Sequence, residues 1–209
     1  MNTFGVYVLT YNNNERKKKM ENRFISLNID ANIIEGNSNS NNRLSDIMES
    51  HMNNINLFYN SDNQFGIMCE DDIYLHKLFK NKINDVIDDL IFNELDIVLL
   101  GYLINSFPDN YGTLSYVSKN NNFYTYNDNL WGSHCYLITK KYAKQLIDYY
   151  SSNKKISDSP DWIITKLTKK RRFVWPPLAV EEGIVKTNDQ GQINFHHSCK
   201  NFLYNTNYI

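Results

Sequence analysis

The residues best suited to chemistry stand together at the end of one short apolar run. Residues 65–69 are apolar and have the length of a buried strand, and Glu70, Asp71 and Asp72 follow them directly. Each carboxylate in such a triplet raises its neighbour's cost of ionising, and a divalent cation removes that cost. Because Mg²⁺ and Mn²⁺ prefer oxygen ligands, the triplet predicts a metal site. The alternative is a solvated turn that caps the next helix.

Strands and helices alternate through the first half of the chain. The patterns predict strands over 6–10, 31–35, 65–69 and 96–100, and helices over 14–27, 43–59 and 74–90. Gly36 and Gly101 are expected to close two of these strands. Such alternation favours a single α/β domain with a mostly parallel sheet flanked by helices. In such sheets ligands bind beyond the carboxyl ends of the strands, where the acid triplet would lie.

The second half of the chain has a different pattern. We predict a hairpin over 116–118 and 123–126, a strand over 134–139, helices over 140–150 and 162–167, and an extended edge over 173–178. Ser, Asp and Pro in 157–161 are typical of a helix start. The last thirty residues are weakly patterned. Without a linker or an internal repeat, the whole of 1–209 is expected to form one domain.

The bulk composition excludes several classes of protein. Apolar residues make up 42% of the 209 residues and charged residues 22%, as in ordinary globular domains. The formal net charge of −1 gives no strong field to attract nucleic acid, so no nucleic-acid partner is expected. No run approaches the roughly 20 apolar residues of a transmembrane segment, and no signal peptide is evident. Three cysteines without metal-like spacing argue against a disulfide framework and predict a cytoplasmic location.

Several short motifs follow one another in a recognisable order. They are 6–11 (VYVLTY) with Arg16 and Met20, Ser50-His51, 69–73 (CEDDI), 96–101 (DIVLLG), 131–139 (WGSHCYLIT) with Ala143, 159–161 (SPD) and 177–180 (PLAV). In this order and spacing the chain resembles glycosyltransferase family 25, which includes bacterial lipooligosaccharide galactosyltransferases and collagen hydroxylysine galactosyltransferases. The resemblance runs from about residue 5 to 187. Cys69 and the pair His134-Cys135 depart from the family pattern.

The resemblance implies a GT-A fold with a Rossmann-like sheet. Residues 1–101 would form a nucleotide-sugar half and residues 102–209 an acceptor half. Asp72, with Glu70, would hold Mn²⁺ or Mg²⁺ against the donor diphosphate, and Asp71 would hydrogen-bond the donor ribose or sugar. Which two of the three acids contact the metal is left open by the sequence.

Further donor contacts are implied at the first strand and at the helix before the acids. Thr10 and Tyr11 would contact the nucleotide, and Arg16 would face the diphosphate or brace that loop; the alternative for Arg16 is a surface helix position. Ser50 and His51 would bind the donor, or would form a buried polar pair satisfied by the backbone.

The implied acceptor side centres on Asp161. The family is classed as inverting, and inverting transfer needs a carboxylate to take the acceptor proton, so Asp161 is the candidate base. The alternative is a helix cap, a role that Asp158 or Ser159 could also fill. His196 would be a third metal ligand, as a histidine near the C-terminus is in many metal-dependent enzymes of this fold; a surface pair with His197 is the alternative.

Three further side chains keep two interpretations. Trp131 and Trp162 would stack against sugar rings or lie in the core. His134 would line the donor pocket or be a satisfied core residue.

The resemblance, together with these residues, implies a metal-dependent, inverting transfer of a hexose from a UDP-sugar. The acceptor would be a hydroxyl of a glycan or of a hydroxylated protein side chain, and UDP-galactose and UDP-glucose are the leading donors. One competing hypothesis is a metal-dependent phosphohydrolase, which Asp96 disfavours because it begins its strand. Another is a catalytically dead sugar-nucleotide-binding module.

Overall fold

A computed structural model describes residues 3–36, 42–118, 121–153, 159–185 and 187–209. The strands in this part are β1 Phe4–Thr10, β2 Ala31–Glu35, β3 Phe65–Glu70, β4 Ile73–Leu75, β5 Ile97–Leu103, β6 Gly112–Val117, β7 Asn122–Tyr126, β8 Trp131–Thr139, β9 Arg171–Trp175 and β10 Ala179–Glu181. The helices are α1 Asn14–Ser26, α2 Arg43–Tyr59, α3 Phe79–Phe92, α4 Lys140–Ser152, α5 Pro160–Lys166 and α6 Gln190–Leu203. None of these helices is long and apolar enough to span a membrane.

Eight of the strands form one sheet in the order β2-β1-β3-β8-β5-β9-β7-β6, and β10 pairs with β4 in a second, two-stranded sheet. Strand β1 is parallel to β2 and β3, and β5 is parallel to β9, whereas the other four pairings of the large sheet are antiparallel. The predicted α/β class is confirmed, with a sheet that is mixed because β8 and β7 each run against both of their neighbours.

The reversed direction of β8 brings a new segment to the carboxyl edge of the sheet. Cys135 lies opposite Cys69 of β3 and opposite Gly101 of β5. The first residues of β8, from Trp131 to His134, therefore reach the edge at which the acid triplet ends β3.

Both faces of the large sheet are covered by helices. Alternate side chains of β1 point to opposite faces: Val6 and Val8 join one buried cluster, which α1 and α3 cover, and Tyr7 joins the other, which α2, α4 and α5 cover. Each cluster contains residues from before and after Gly101, so the core is continuous across the predicted boundary between two halves.

Several helices begin where local chemistry predicts. The side chain of Asn13 accepts from the backbone N–H of Arg16 and caps α1. Strand β2 and helix α2 have the predicted bounds.

Two predictions in the first half were wrong in detail. The helix expected over 74–90 begins only at Phe79, because Ile73 to Leu75 instead form β4 and pair with β10. Strand β5 does not stop at Gly101 but continues to Leu103, since β8 supplies pairing partners beyond the glycine. In both cases a partner distant in sequence decides the local conformation.

The second half holds two more differences. Residues 173–178 are not a sheet edge: β9 lies between β5 and β7 and ends at Trp175, before Pro176 and Pro177. Helix α6 lies in the stretch whose pattern was too weak to interpret. Asp158, named above as a possible helix cap, lies outside the described residues.

Candidate active site

The three acids lie where β3 ends and the chain turns into β4. Glu70 is the last residue of β3, and Asp71 and Asp72 form the turn. Thr10, at the end of the neighbouring β1, donates its hydroxyl to Asp71 Oδ2 over 2.7 Å. Arg16 Nη1 lies 3.2 Å from Asp71 Oδ1 and 3.2 Å from Asp72 Oδ2. Both oxygens of Asp71 are therefore engaged within the protein.

Asp72 is the acid of the triplet that is most difficult to ionise. Its side chain is buried, and Oδ1 has no hydrogen-bond partner among the described residues. Burial raises the pKa of Asp72 well above its usual range, and the negative charges of Glu70 and Glu181 raise it further, against the opposing effect of Arg16. The free oxygen is thus an acceptor without a donor, in a place where negative charge is concentrated.

Glu70 has a histidine for a neighbour. His51, buried on α2, places Nε2 3.6 Å from Glu70 Oε1 and Nδ1 3.3 Å from the hydroxyl of Tyr136. Although burial alone would raise it, the pKa of Glu70 is lowered by His51, with His134 and Arg16 acting in the same direction. Glu70 is therefore held as a carboxylate beside Asp72.

Tyr11 and Ser50 meet close to Gly36. The Gly36 N–H donates to Thr10 O over 2.7 Å, and a Cβ at Gly36 would come within 2.6 Å of the Tyr11 ring and 3.0 Å of Ser50 Oγ. Burial raises the pKa of Tyr11 to about 12. The structure therefore places Thr10, Tyr11 and Ser50 in one group, beside the first strand's carboxyl end.

Asp161 reaches the same edge from helix α5. Ser133, near the start of β8, donates its hydroxyl to Asp161 Oδ1. The cap of α5 is Ser159, whose hydroxyl accepts from the N–H of Trp162. The capping alternative for Asp161 is thus taken by Ser159, and the Asp161 carboxylate is oriented by β8 instead.

His134 stands between the acids and Asp161. It is buried, and Nε2 has no hydrogen-bond partner in the described part of the chain. A Cβ at Gly101 would lie 2.8 Å from its ring, so that glycine makes room for the imidazole. Burial lowers the pKa of His134, while Glu181, Glu70 and Asp161 oppose the shift. His134 faces three carboxylates, and the sequence alone left its role open.

Glu181 is a site residue that the sequence analysis missed. It lies opposite Ile73 in the β10–β4 pair, next to the triplet, and its Oε2 is 2.6 Å from His196 Nδ1. This hydrogen bond to Glu181 raises the pKa of His196. A signal was present, because the apolar run 178–180 ends in Glu181 and Glu182 much as β3 ends in acids.

Glu182 contacts the backbone of the turn that carries the acids. Arg23 Nη2 lies 2.7 Å from Glu182 Oε1, and Arg23 Nη1 donates to Ile73 O over 2.8 Å. The backbone N–H of Glu182 donates to Asp72 O over 2.6 Å. Helix α1 and strand β10 therefore hold the turn that carries the acids.

The predicted metal ligands Glu70, Asp72 and His196 are not gathered as a ready ligand set. Over the described ranges, no group of three or more His, Cys, Asp or Glu side chains is arranged to hold a metal ion. His196 contacts Glu181 instead, and its role as a ligand stays a prediction. The donor chemistry nonetheless fits a hard cation, since Asp72 Oδ1 is a buried carboxylate oxygen without a partner.

Comparison with solved structures supports the fold. A glycosyltransferase involved in the glycosylation of the major capsid of PBCV-1 superposes with a TM-score of 0.52 at 9% identity, over 92% of this chain and 98% of that one. Protein A197 from STIV superposes with a TM-score of 0.51 at 9% identity, over 83% and 81% of the two chains. These likenesses support the α/β fold of the GT-A type. No curated protein matches the sequence.

The family comparison covers the centre of the chain. The model of glycosyltransferase family 25 (LPS biosynthesis protein) matches residues 48–160. The matched segment includes the Ser50-His51 pair, the acid triplet and strand β8, and it ends one residue before Asp161. On these grounds the chain belongs to glycosyltransferase family 25.

Proposed function

We propose that this glycosyltransferase transfers a hexose from a UDP-sugar to a hydroxyl of a glycan or of a hydroxylated side chain, with inversion and with Mn²⁺ or Mg²⁺ as its cofactor. One observation carries the proposal. A buried, unpartnered oxygen of Asp72 lies among further carboxylates at the edge of the sheet that also holds Asp161. A cation there would remove the charge repulsion and satisfy that oxygen.

The cation would be held by Asp72 and Glu70, with His196 as a third ligand. Asp71 has both oxygens engaged by Thr10 and Arg16, which favours its two neighbours as ligands. His196 would have to exchange its contact with Glu181 for the cation. A bound cation would neutralise the negative charge that develops on the leaving nucleoside diphosphate.

The donor would bind along the carboxyl end of β1. Thr10, Tyr11 and Ser50 converge there and would contact the nucleotide, with His51 behind Glu70. Arg16 adds positive charge to the same corner and would approach the diphosphate. Asp71, which Thr10 and Arg16 hold in place, would face the donor ribose or sugar.

Asp161 would act as the general base. As the acceptor oxygen bonds to the anomeric carbon, the bond from that carbon to the diphosphate breaks, and the acceptor proton passes to the Asp161 carboxylate. Ser133 holds the carboxylate in place by donating to Oδ1. Attack on the face opposite the diphosphate inverts the anomeric configuration.

A nucleotide-release screen tests the proposal. UDP-galactose, UDP-glucose and UDP-N-acetylglucosamine are incubated with the protein and Mn²⁺, with and without candidate acceptors, and free UDP is measured. We expect release with at least one donor, suppression by EDTA, and inversion in the product's anomeric proton coupling. A retained configuration would overturn the assignment of Asp161.

The two competing hypotheses give different results in the same assays. A phosphohydrolase would cleave simple phosphate esters such as p-nitrophenyl phosphate, for which we expect no activity. A dead binding module would bind UDP in a calorimetric titration with Mn²⁺ yet release none from any sugar nucleotide.

A further inference from the structure

Two exposed indoles flank Asp161 on the proposed acceptor side. Trp131 is 41% exposed and Trp162 is 40% exposed, and their ring centroids are 6.4 Å apart. Two large aromatic side chains exposed next to each other form an apolar surface patch, and such patches often mark binding sites. Trp162 directly follows Asp161, and Trp131 lies two residues before Ser133, the hydrogen-bond partner of Asp161. The two indoles thus belong to separate chain segments that are both linked to Asp161, Trp162 as its neighbour in sequence and Trp131 through Ser133.

A lysine holds the pair together. Lys166 Nζ lies 4.2 Å from the ring centroid of Trp131 and 4.1 Å from that of Trp162, and it donates to Asp128 O over 2.6 Å. A cation shared by two indole faces stabilises their arrangement. Partial burial lowers the pKa of Lys166. The ring pair is therefore an ordered platform, and we call Trp131, Trp162 and Lys166 the indole clamp.

We propose that the indole clamp is the acceptor subsite and that the acceptor is a neutral sugar ring of a glycan; this rests on the proposed glycosyl transfer. Aromatic faces suit the apolar C–H face of a sugar ring, while the hydroxyls at its edge stay free for hydrogen bonds.

The surroundings of the clamp carry balanced charge. Arg171 lies 3.2 Å from the Asp128 carboxylate, and Asp128 and Asp161 both oppose the lowering of the Lys166 pKa. What distinguishes the two acceptor classes is therefore shape. A sugar ring has a flat apolar face to stack on an indole, whereas a hydroxylysine side chain has none, so the clamp favours a glycan over a hydroxylysine peptide.

The test compares acceptors and tryptophan variants of the full chain. An array of neutral and anionic oligosaccharides, together with a hydroxylysine peptide, is screened for transfer, and the best neutral oligosaccharide is used for kinetics. For W131A and W162A we expect the acceptor KM to rise about tenfold or more, a loss of about 1.4 kcal/mol or more. The KM for the donor should rise less than the acceptor KM, because the proposed donor contacts lie beside the acid triplet and not in the clamp.

Three controls make the result specific. Trp162→Phe keeps an aromatic face and should recover most of the acceptor affinity. Phe92→Ala removes another exposed aromatic ring, at the opposite edge of the sheet, and should leave the acceptor KM unchanged. Thermal unfolding of each variant checks that the fold is intact, and tryptophan fluorescence titrated with the oligosaccharide reports binding directly.

The outcomes separate this inference from the proposed function. Unchanged acceptor KM in both alanine variants, or transfer to the hydroxylysine peptide but to no neutral glycan, would overturn the clamp while leaving glycosyl transfer in place. Absence of UDP release from every sugar nucleotide by the unmodified protein would overturn both.

Discussion

The acid corner, made of Thr10, Arg16 and the triplet 70–72, differs in construction from the base side, made of Ser133, His134 and Asp161. In the acid corner the carboxylates are consecutive, and contacts with Thr10 and Arg16 already satisfy much of their charge. On the base side Ser133 and His134 are neighbours on β8, whereas Asp161 comes from α5. A compact motif marks the first region, whereas long-range strand pairing builds the second.

The two regions also differ in what remains unsatisfied. One oxygen of Asp72 in the acid corner and one nitrogen of His134 on the base side are buried without partners in the described chain. Buried polar atoms without partners are costly, and in native proteins they call for an explanation such as a ligand. The comparison therefore predicts that substitutions in the acid corner alter donor and cation binding, whereas those on the base side alter turnover alone.

The largest expected effect tests the acid corner. Asp72→Ala removes the unpartnered oxygen, and we expect transfer to be abolished and Mn²⁺-dependent UDP binding to be lost in calorimetry. Asp62→Ala, which removes an exposed acid before the amino end of β3, serves as the control and should be fully active. Full activity of Asp72→Ala would end the cation assignment.

The next effect tests the base side. Asp161→Asn keeps the shape but removes the proton acceptor, and we expect kcat to fall by roughly 10²-fold or more while UDP binding is retained. The control is Asp148→Asn on the exposed face of α4. If the variant fails to fold, or binds UDP as poorly as Asp72→Ala, the two regions are not separable in this way.

A smaller effect measures how Arg16 supports the acids. Arg16→Gln removes the guanidinium group that contacts both Asp71 and Asp72. The free energy of unfolding should therefore fall by about 1–3 kcal/mol, and the donor KM should rise. Chemical denaturation and steady-state kinetics measure both quantities. Lys19→Gln, on the same helix but in an exposed pair with Glu15, should change neither.

The smallest effect concerns the orientation of the base. Ser133→Ala removes one hydrogen bond to Asp161, worth about 1 kcal/mol, so kcat should fall several-fold with the donor KM unchanged. Ser151→Ala, which removes an exposed helix hydroxyl, is the control. A fall as large as that of Asp161→Asn would mean that Ser133 itself takes part in proton transfer.

Much of the first half was predictable because its signals are local. Hydrophobic periodicity gave the order of strands and helices up to β5, and β2 and α2 have the predicted bounds. The acid triplet was identifiable for the same reason, since its three side chains are neighbours in sequence. The exception is β4, where pairing with β10 overrides a helical pattern.

The second half was less predictable because its partners are distant. The direction of β8, the interior position of β9 and the approach of Glu181 to the triplet all depend on pairings between remote segments. Helix α6 has a weak apolar pattern and buries few side chains, so periodicity gave no sign of it.

The sequence by itself determined which residues are chemically able to act and the α/β class, because residue type and periodicity are properties of short segments. It also determined the family, since its motifs follow one another along the chain. Only the tertiary structure decided which of those residues meet. An antiparallel β8 between β3 and β5 sets Ser133 and His134 at the edge that carries the acids. Contacts from Thr10 and Arg16 satisfy Asp71, while burial and the charges of Glu70 and Glu181 act on Asp72. Such meetings depend on strand order and direction, which no local pattern encodes.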